Sequence, residues 1–520
     1  MDSSIDGASS IIFLSYPRPQ AYSIKLHQAS SESEVNIIVW PDKIRIHLSM
    51  KKTIIIIGAG PAGLTSALLL ARDGHRVIVY ESDIEYVGGL SRTVLHNGFR
   101  FDIGGHRFYT KEKVVSDFWQ SILKDDLLKR KRTSRIFYKK KFLSYPLNPS
   151  ELIFKLNPFE TLSFMVSFFK TRLFPLKKKD NFENWVISNF GQKLYEAFFK
   201  SYTEKVWGME CSEISSDWAV QRINNLNIYS LIKRTIQQVF RLPSADVKSL
   251  IEEFDYPKLG PGMLWEKVRD EVQENGQIIL GTKVTSIHQV ENNKWTVKLS
   301  NGLMSEPADD IISTAPLREF IKGIVPAPPK DILDAVNDFT YRSFITVAIM
   351  FKGKNHFPDN WIYIHDQRVK VGRIQNYGNW STYMTPGLDC VCYGLEYFCQ
   401  RDDAFWKLSD DEMFTLAKKE LQILGLEYSE NELDFKVIRS PYAYPIYDLS
   451  YKERLDSVQK YLNQFENLHP IGRSGLHRYN NQDHSIKTAM LACENISLGQ
   501  KKFNPWKVNQ DAEYIEEIQL

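Results

Sequence analysis

The sequence has no uncharged apolar run of the roughly 18 residues that a membrane-crossing helix needs. Its nearest approach, LIFKLNPFETLSFMVSFF at residues 152–169, is broken by Lys155, Pro158 and Glu160. There are five cysteines among 520 residues, at positions 211, 390, 392, 399 and 493. That odd number, without zinc spacing, suits reduced thiols better than a disulfide framework or a metal site. Neither sign of charge dominates: the net charge of +3 gives no reason to expect nucleic-acid binding. The opening MDSSIDGASSIIFL lacks the basic stretch of a secretory signal, so the expected location is cytoplasmic. The sequence shows no internal repeat, low-complexity tract, phosphate-cradling P-loop, Ser-His-Asp set or metal-ligand cluster.

What is present is a globular composition, 43% hydrophobic and 13% aromatic, at a length that calls for two or three domains. Residues 1–49 do not resemble the start of a nucleotide-binding fold, although NIIVW and KIRIHLS around Pro41 suit a small hairpin. The core is expected to begin near Met50, where MKKTIIIIGAG opens. TIIII, residues 53–57, is a continuous apolar run of the kind buried on both faces of a parallel sheet. GAGPAG follows, then a helical pattern at 63–73 closed by Gly74, then the strand RVIVYES ending at Glu81. Residues 150–250 look mostly helical. IILGTKVTSI (278–287), KWTVKLS (294–300) and DDIISTAP read as strands, residues 340–400 and 434–447 as a second sheet, and 484–498 as a final helix. Lys170, Arg172 and Lys177 to Lys179 follow the apolar run at 152–169. That stretch is either an amphipathic segment touching a membrane surface or a helical domain with a solvated basic edge, and its interruptions favour the second.

In G-x-G-x-x-G, Gly58 allows the tight turn, Gly60 lets the backbone approach a pyrophosphate, and Gly63 lets helix and strand pack closely. The helix N-terminus offers free N–H groups to phosphates. Glu81, 18 residues after Gly63, is placed to bind ribose hydroxyls. The complete strand–loop–helix–strand context points to dinucleotide binding. Gly88 and Gly89 precede LSRT, with Arg92 and Thr93, and FRFDIGGHRF follows at 99–108. This GG-x-SRT and FD-x-G pair resembles the flavoproteins that include amine oxidases, protoporphyrinogen oxidase and UDP-galactopyranose mutase. The implied cofactor is FAD.

Further along the chain the resemblance narrows to UDP-galactopyranose mutase. GGHRFYT (from Gly104), FLSYPLNPSEL (from Phe142), ENWVISNFGQKLYEAFFKSYTEKVWG (from Glu183), TAPLREF (from Thr314), YAYPIYD (from Tyr442) and GRSGLHRYNNQDHS (from Gly472) are similar to six of that family's segments, in its order. Three departures stand out. Val206 replaces the family's Gln, Gly105–His106–Arg107 replaces its Pro-His-Ile, and two extra residues separate Tyr479 from Asp483.

The resemblance implies an α/β fold, with a Rossmann-like FAD-binding domain, an inserted helical domain and a second, mainly antiparallel sheet domain. The expected boundaries are 1–49 for an extension, 50–145, 256–330 and 451–520 for the FAD-binding parts and tail, 146–255 for the helical substrate domain and 331–450 for the sheet domain. It implies interconversion of pyranose and furanose forms of a nucleotide sugar, for surface polysaccharide synthesis, with reduced flavin N5 attacking the anomeric carbon. NAD(P)H or another reductant would supply the flavin's electrons. Arg222 and Arg342 are candidates for the diphosphate, because an arginine fork binds it bidentately. Tyr202, Trp207, Tyr444 and Tyr479 are candidate substrate contacts, and His106 a flavin contact. Val284, Arg473 and Asp483 join Gly58, Gly60, Gly63, Glu81, Gly89 and Arg92 as cofactor residues. The rival reading is an FAD-dependent oxidoreductase of the amine oxidase or protoporphyrinogen oxidase type, which the GG-x-SRT element fits equally.

Overall fold

The computed structural model describes residues 51–145, 147, 151, 155–176, 179–223, 253–353, 355–426 and 431–509, with only the backbone of 220–223. It also describes the backbone of three strands, Tyr22–Leu26, Ser33–Trp40 and Lys43–His47, which pair antiparallel with one another and contain the expected hairpin. Among the described residues no helix is long and apolar enough to cross a membrane.

The run TIIII forms the strand Thr53–Ile57 at the centre of a five-stranded parallel sheet. Arg76–Tyr80 and then Gln277–Ile279 lie on one side of it, Asp310–Ser313 and then Leu468–Pro470 on the other. Successive side chains of a strand point to opposite faces. Ile54 and Ile56 therefore enter one core, with Leu64, Leu68, Trp265 and Ile486. Ile55 and Ile57 enter the other, with Ile287, Trp295, Phe320 and Leu455. Each fully buried isoleucine contributes roughly 1.5–3 kcal/mol, so an uninterrupted isoleucine run is what a two-faced sheet requires. Because the central strand's neighbours lie on opposite sides, a crevice opens at the carboxyl ends of the strands.

The helix Pro61–Arg72 starts at that crevice, with proline in its first turn, where the missing N–H costs nothing. It packs against the helices Gly262–Asn275 and Gln482–Leu498. The second sheet has seven strands, in the order Lys141–Ser144, Ser134–Tyr138, Trp361–Ile364, Arg373–Asn376, Cys390–Cys399, Tyr341–Lys352 and Glu432–Pro445. One pair in it is parallel and the rest are antiparallel. The chain is thus an α/β protein with a Rossmann-like domain and a mainly antiparallel second sheet. The described helices between them include Pro158–Leu173, Phe182–Phe190 and Ser201–Trp207.

Two details depart from the sequence reading. Residues 278–287 are not one strand: Gln277–Ile279 joins the parallel sheet, and Val284–Val290 pairs with Lys294–Leu299 in another. The turn between them passes through Gly281 at φ +65°, in the left-handed region that glycine enters without penalty. Secondly, Ser134–Tyr138 and Lys141–Ser144, which precede residue 145, hydrogen-bond into the seven-stranded sheet.

A buried polar cluster fastens the two sheet systems. Asp102 accepts hydrogen bonds from Thr93 Oγ1 (2.8 Å) and from the Tyr256 hydroxyl, while its carbonyl accepts one from Tyr377 (2.7 Å) of the second domain. Burial pushes the Asp102 carboxyl up to about 7, against the pull of Tyr256 and Thr93. In the unfolded chain it titrates near 4. Its contribution to stability is therefore complete below about pH 4 and is lost as the pH rises through about 7. Asp102→Asn stays neutral, so it should gain on the native protein between about pH 5 and pH 8, by on the order of a few kcal/mol. Melting temperatures of both proteins across that range test this; a constant difference would refute it.

Candidate active site

The loop after Ile57 is held from several directions. Gly58 N–H donates to the Tyr80 carbonyl (2.8 Å), Ala59 N–H to Glu81 Oε2 (2.6 Å), and Gly88 N–H to the Ala59 carbonyl (2.8 Å). Gly58 sits at φ +96°, and a Cβ there would lie 2.2 Å from Thr314 Oγ1. A Cβ on Gly63 would lie 1.9 Å from the Gly58 carbonyl oxygen. Gly60 differs: a Cβ there would meet nothing within 4 Å, because it would point into a cavity.

That cavity, about 590 Å³, runs from Glu81 past Gly58, Gly60, Gly89 and Arg92 to Arg473 and Gln482, with Val284 on its wall. Two of its polar groups lack a full set of partners among the described residues. Arg92 is held by Asp83 (3.3 Å), yet its buried Nε has no hydrogen-bond partner. Gln482, at the start of a 17-residue helix, is buried with both amide atoms unpartnered. A buried polar atom without a partner is costly, and a long planar ligand with phosphate and carbonyl oxygens would relieve both.

A smaller chamber of about 140 Å³ adjoins it, and Leu90, His106, Arg473, Asn481 and Gln482 line both. His106 Nε2 donates to the Ile103 carbonyl (2.8 Å). Burial, joined by the nearby Arg473 and Arg373 charges, lowers its pKa to about 4, so the ring is neutral at physiological pH. Tyr444 and Tyr479 stack on each other (5.3 Å) on the chamber wall, with the Arg473 guanidinium over both rings. Among the described residues Arg473 donates to the carbonyls of Asn480 (2.7 Å) and Ala443 (3.1 Å), and no carboxylate pairs with it. Asp483 lines this chamber and not the larger cavity.

The structure brings in residues that the sequence reading missed. Arg373 reaches the chamber while its Nε and Nη2 hold Glu396 Oε2 (2.8 and 2.5 Å). Gln375 donates to the other oxygen of Glu396 (2.9 Å) and leaves its own Oε1 buried and unpartnered. Burial works against the Arg373 charge, and Glu396 more than restores it. The signal was the alternation of Arg373 and Gln375 on one strand face, and its meaning depends on the register with Glu396.

Other expected residues lie elsewhere. Arg342, expected at a diphosphate, lines neither cavity. Its guanidinium donates to the carbonyls of Val206 (2.8 Å), Lys205 (3.3 Å) and Phe398 (3.0 Å), clamping the end of a helix to a strand. Trp207 is buried behind the chamber, edge-on to Tyr444 and near Tyr479. Tyr202 stacks on His365 (4.5 Å) and meets Tyr363, which lines the chamber. The side chain of Arg222 lies outside the described residues.

The description "flavin containing amine oxidoreductase" matches residues 61–477. The chain belongs to that family. FAD is its cofactor. The chain is 25% identical over 354 residues to the L-amino acid oxidase bordonein-L of Crotalus durissus terrificus, covering 64% of this chain and 66% of that one. It therefore spans just under two thirds of that relative's length. It is 24% identical over 470 residues to protoporphyrinogen oxidase 2, chloroplastic/mitochondrial, of Arabidopsis thaliana, covering 82% and 90% of the two chains. In fold it is similar to reduced UDP-galactopyranose mutase, with a TM-score of 0.76 at 23% identity over 88% of this chain and 99% of that one.

For this flavoprotein the glycines make separable predictions. Gly60→Val should fold with the melting temperature of the FAD-free native protein but fail to take up FAD, because its branches project into the cavity. Gly63→Ala should instead lower stability, by roughly 1–3 kcal/mol or more, because backbone must move. Flavin absorbance and thermal melts of the two variants check this; a Gly60→Val protein loaded with FAD would contradict it.

Proposed function

We propose that this flavoenzyme interconverts the pyranose and furanose forms of a nucleotide sugar in the smaller chamber, serving surface polysaccharide synthesis. The observation that carries the reading is Arg473. It is a guanidinium without a carboxylate partner among the described residues, laid over two tyrosines where the cavities meet. A desolvated arginine fork suits a diphosphate, and the tyrosine hydroxyls and the Gln375 and Gln482 amides suit a polyhydroxy ring.

In this reading the backbone of Gly58 to Ala62 and the helix behind it hold the FAD diphosphate, and Glu81 takes a ribose. Gly89, Arg92 and Val284 flank the cofactor, and Gln482 meets its ring end. Bound and reduced, the flavin would supply a nucleophilic N5 for the anomeric carbon, with no net oxidation over a turnover. NAD(P)H or another reductant would bring it to that state. Arg473 holds the diphosphate, and Asp483, Tyr444 and Tyr479 orient the sugar. His106, neutral, fixes the loop against the flavin and transfers no proton at pH 7.

A second reading, an oxidase, is favoured by the similarity to L-amino acid oxidases and to protoporphyrinogen oxidase. The two part on redox stoichiometry. Dithionite-reduced protein, without oxygen, should convert one of a panel of nucleotide sugars into its ring isomer, read by chromatography. Arg473→Met should weaken that sugar's binding by roughly 2–5 kcal/mol. If reduced protein isomerises nothing, while oxidised protein consumes oxygen with an amino acid or a porphyrinogen, the oxidase reading stands instead.

A further inference from the structure

The helix Pro158–Leu173 presents an apolar face that the described chain does not cover. Phe159 is 82% exposed and Leu173 74%, and Leu162, Met165, Val166 and Phe169 are each exposed by half or more. Positions 159, 162, 166, 169 and 173 are spaced three and four apart in turn, which places them in one stripe along a helix. Only Phe164 on this helix is buried, so the stripe is the larger part of its apolar surface. Phe174, 72% exposed, extends it past the helix end. Isolated exposed leucines need no explanation, but a contiguous stripe of large side chains marks a docking surface.

Charge says what docks there. Residues 127–179 hold fourteen Lys or Arg against two Glu, a net +12 in a chain whose total is +3. Cations stand at both ends of the stripe. Lys139, Lys140 and Lys155 are exposed beside its start, where Lys139 pairs with Glu160 (2.9 Å), and Lys170 and Arg172 are exposed at its close. Both acidic residues of the segment are already held by lysines, Glu151 by Lys155 (2.9 Å) and Glu160 by Lys139. A 16-residue helix is about 24 Å long, too short for a hydrocarbon core of about 30 Å. It can lie in the plane of a membrane surface, with apolar side chains among the acyl chains and lysines at the lipid phosphates.

We infer that this face docks the enzyme on an anionic lipid bilayer. The protein would sit on the surface with the stripe inserted and the Lys139 turn and Lys170–Arg172 end against the headgroups. This occupancy does not depend on which reaction the flavin serves.

The test uses the FAD-loaded full chain and sedimentation with vesicles. Protein should pellet with phosphatidylcholine vesicles containing phosphatidylserine, and bind phosphatidylcholine alone at least about tenfold more weakly. Val166→Asp with Phe169→Asp should reduce binding to the anionic vesicles at least about tenfold, with flavin absorbance and melting temperature unchanged. No pelleting with anionic vesicles overturns the inference. So does binding that the double variant retains, since charge alone would then explain it. A native dimer that the double variant dissociates would assign the face to a second copy. A lower melting temperature of the variant would assign it to the chain's own cover.

Discussion

The cofactor site depends on one close approach, that of Gly63 to the carbonyl of Gly58. With no side chain at 63, the helix Pro61–Arg72 can start directly above the end of the central strand. Its unsatisfied N–H groups then face the crevice between Thr53–Ile57 and Asp310–Ser313. Everything around this contact is fixed to it. Glu81 holds Ala59 from the neighbouring strand, Gly88 holds the Ala59 carbonyl, and Thr314 Oγ1 donates to the Ile57 carbonyl (2.8 Å). The loop cannot move unless strands, helix and GG turn move together, so the cavity exists before any ligand enters it.

This part of the protein was legible in the sequence because its determinants are local. TIIII, the three glycines, the closing Gly74 and the acid at 81 lie within some thirty residues, and each has a backbone reason to be there. The second sheet was legible as a sheet, from its β-branched and aromatic content, but not as a chamber. Arg373 and Glu396 are 23 positions apart and meet only because their strands pair in one register. Arg342 was misread for the converse reason. An arginine at the start of a strand advertises a charge, and nothing local says that a helix end will take up its donors. The strand at 278–287 was read too long because hydrophobic pattern does not register a turn at Gly281.

Three arginines line the chamber, Arg107, Arg373 and Arg473, and the last two are not equivalent. Arg373 and Glu396 form a buried pair, a nearly neutral unit whose disruption would leave one charge stranded, at a cost of about 3–5 kcal/mol. With Gln375 they make a rigid wall. Arg473 instead rests on carbonyl oxygens and ring faces, which solvate a cation without cancelling it. Burial first, and then the charges of both Arg473 and Arg373, hold the His106 pKa low on the loop opposite.

That same electrostatics limits what the side chains can do in a reaction. With its pKa near 4, His106 has no proton to donate at neutral pH beyond the one it shares with the Ile103 carbonyl. Burial raises the pKa of Tyr444, with Tyr479 adding to the effect, so that phenol is a weaker acid than tyrosine in water. Efficient proton transfer wants groups that titrate near the working pH, and these two lie on either side of it. Neither His106 nor Tyr444 is therefore tuned to relay a proton at neutral pH, and both act through shape and hydrogen bonding.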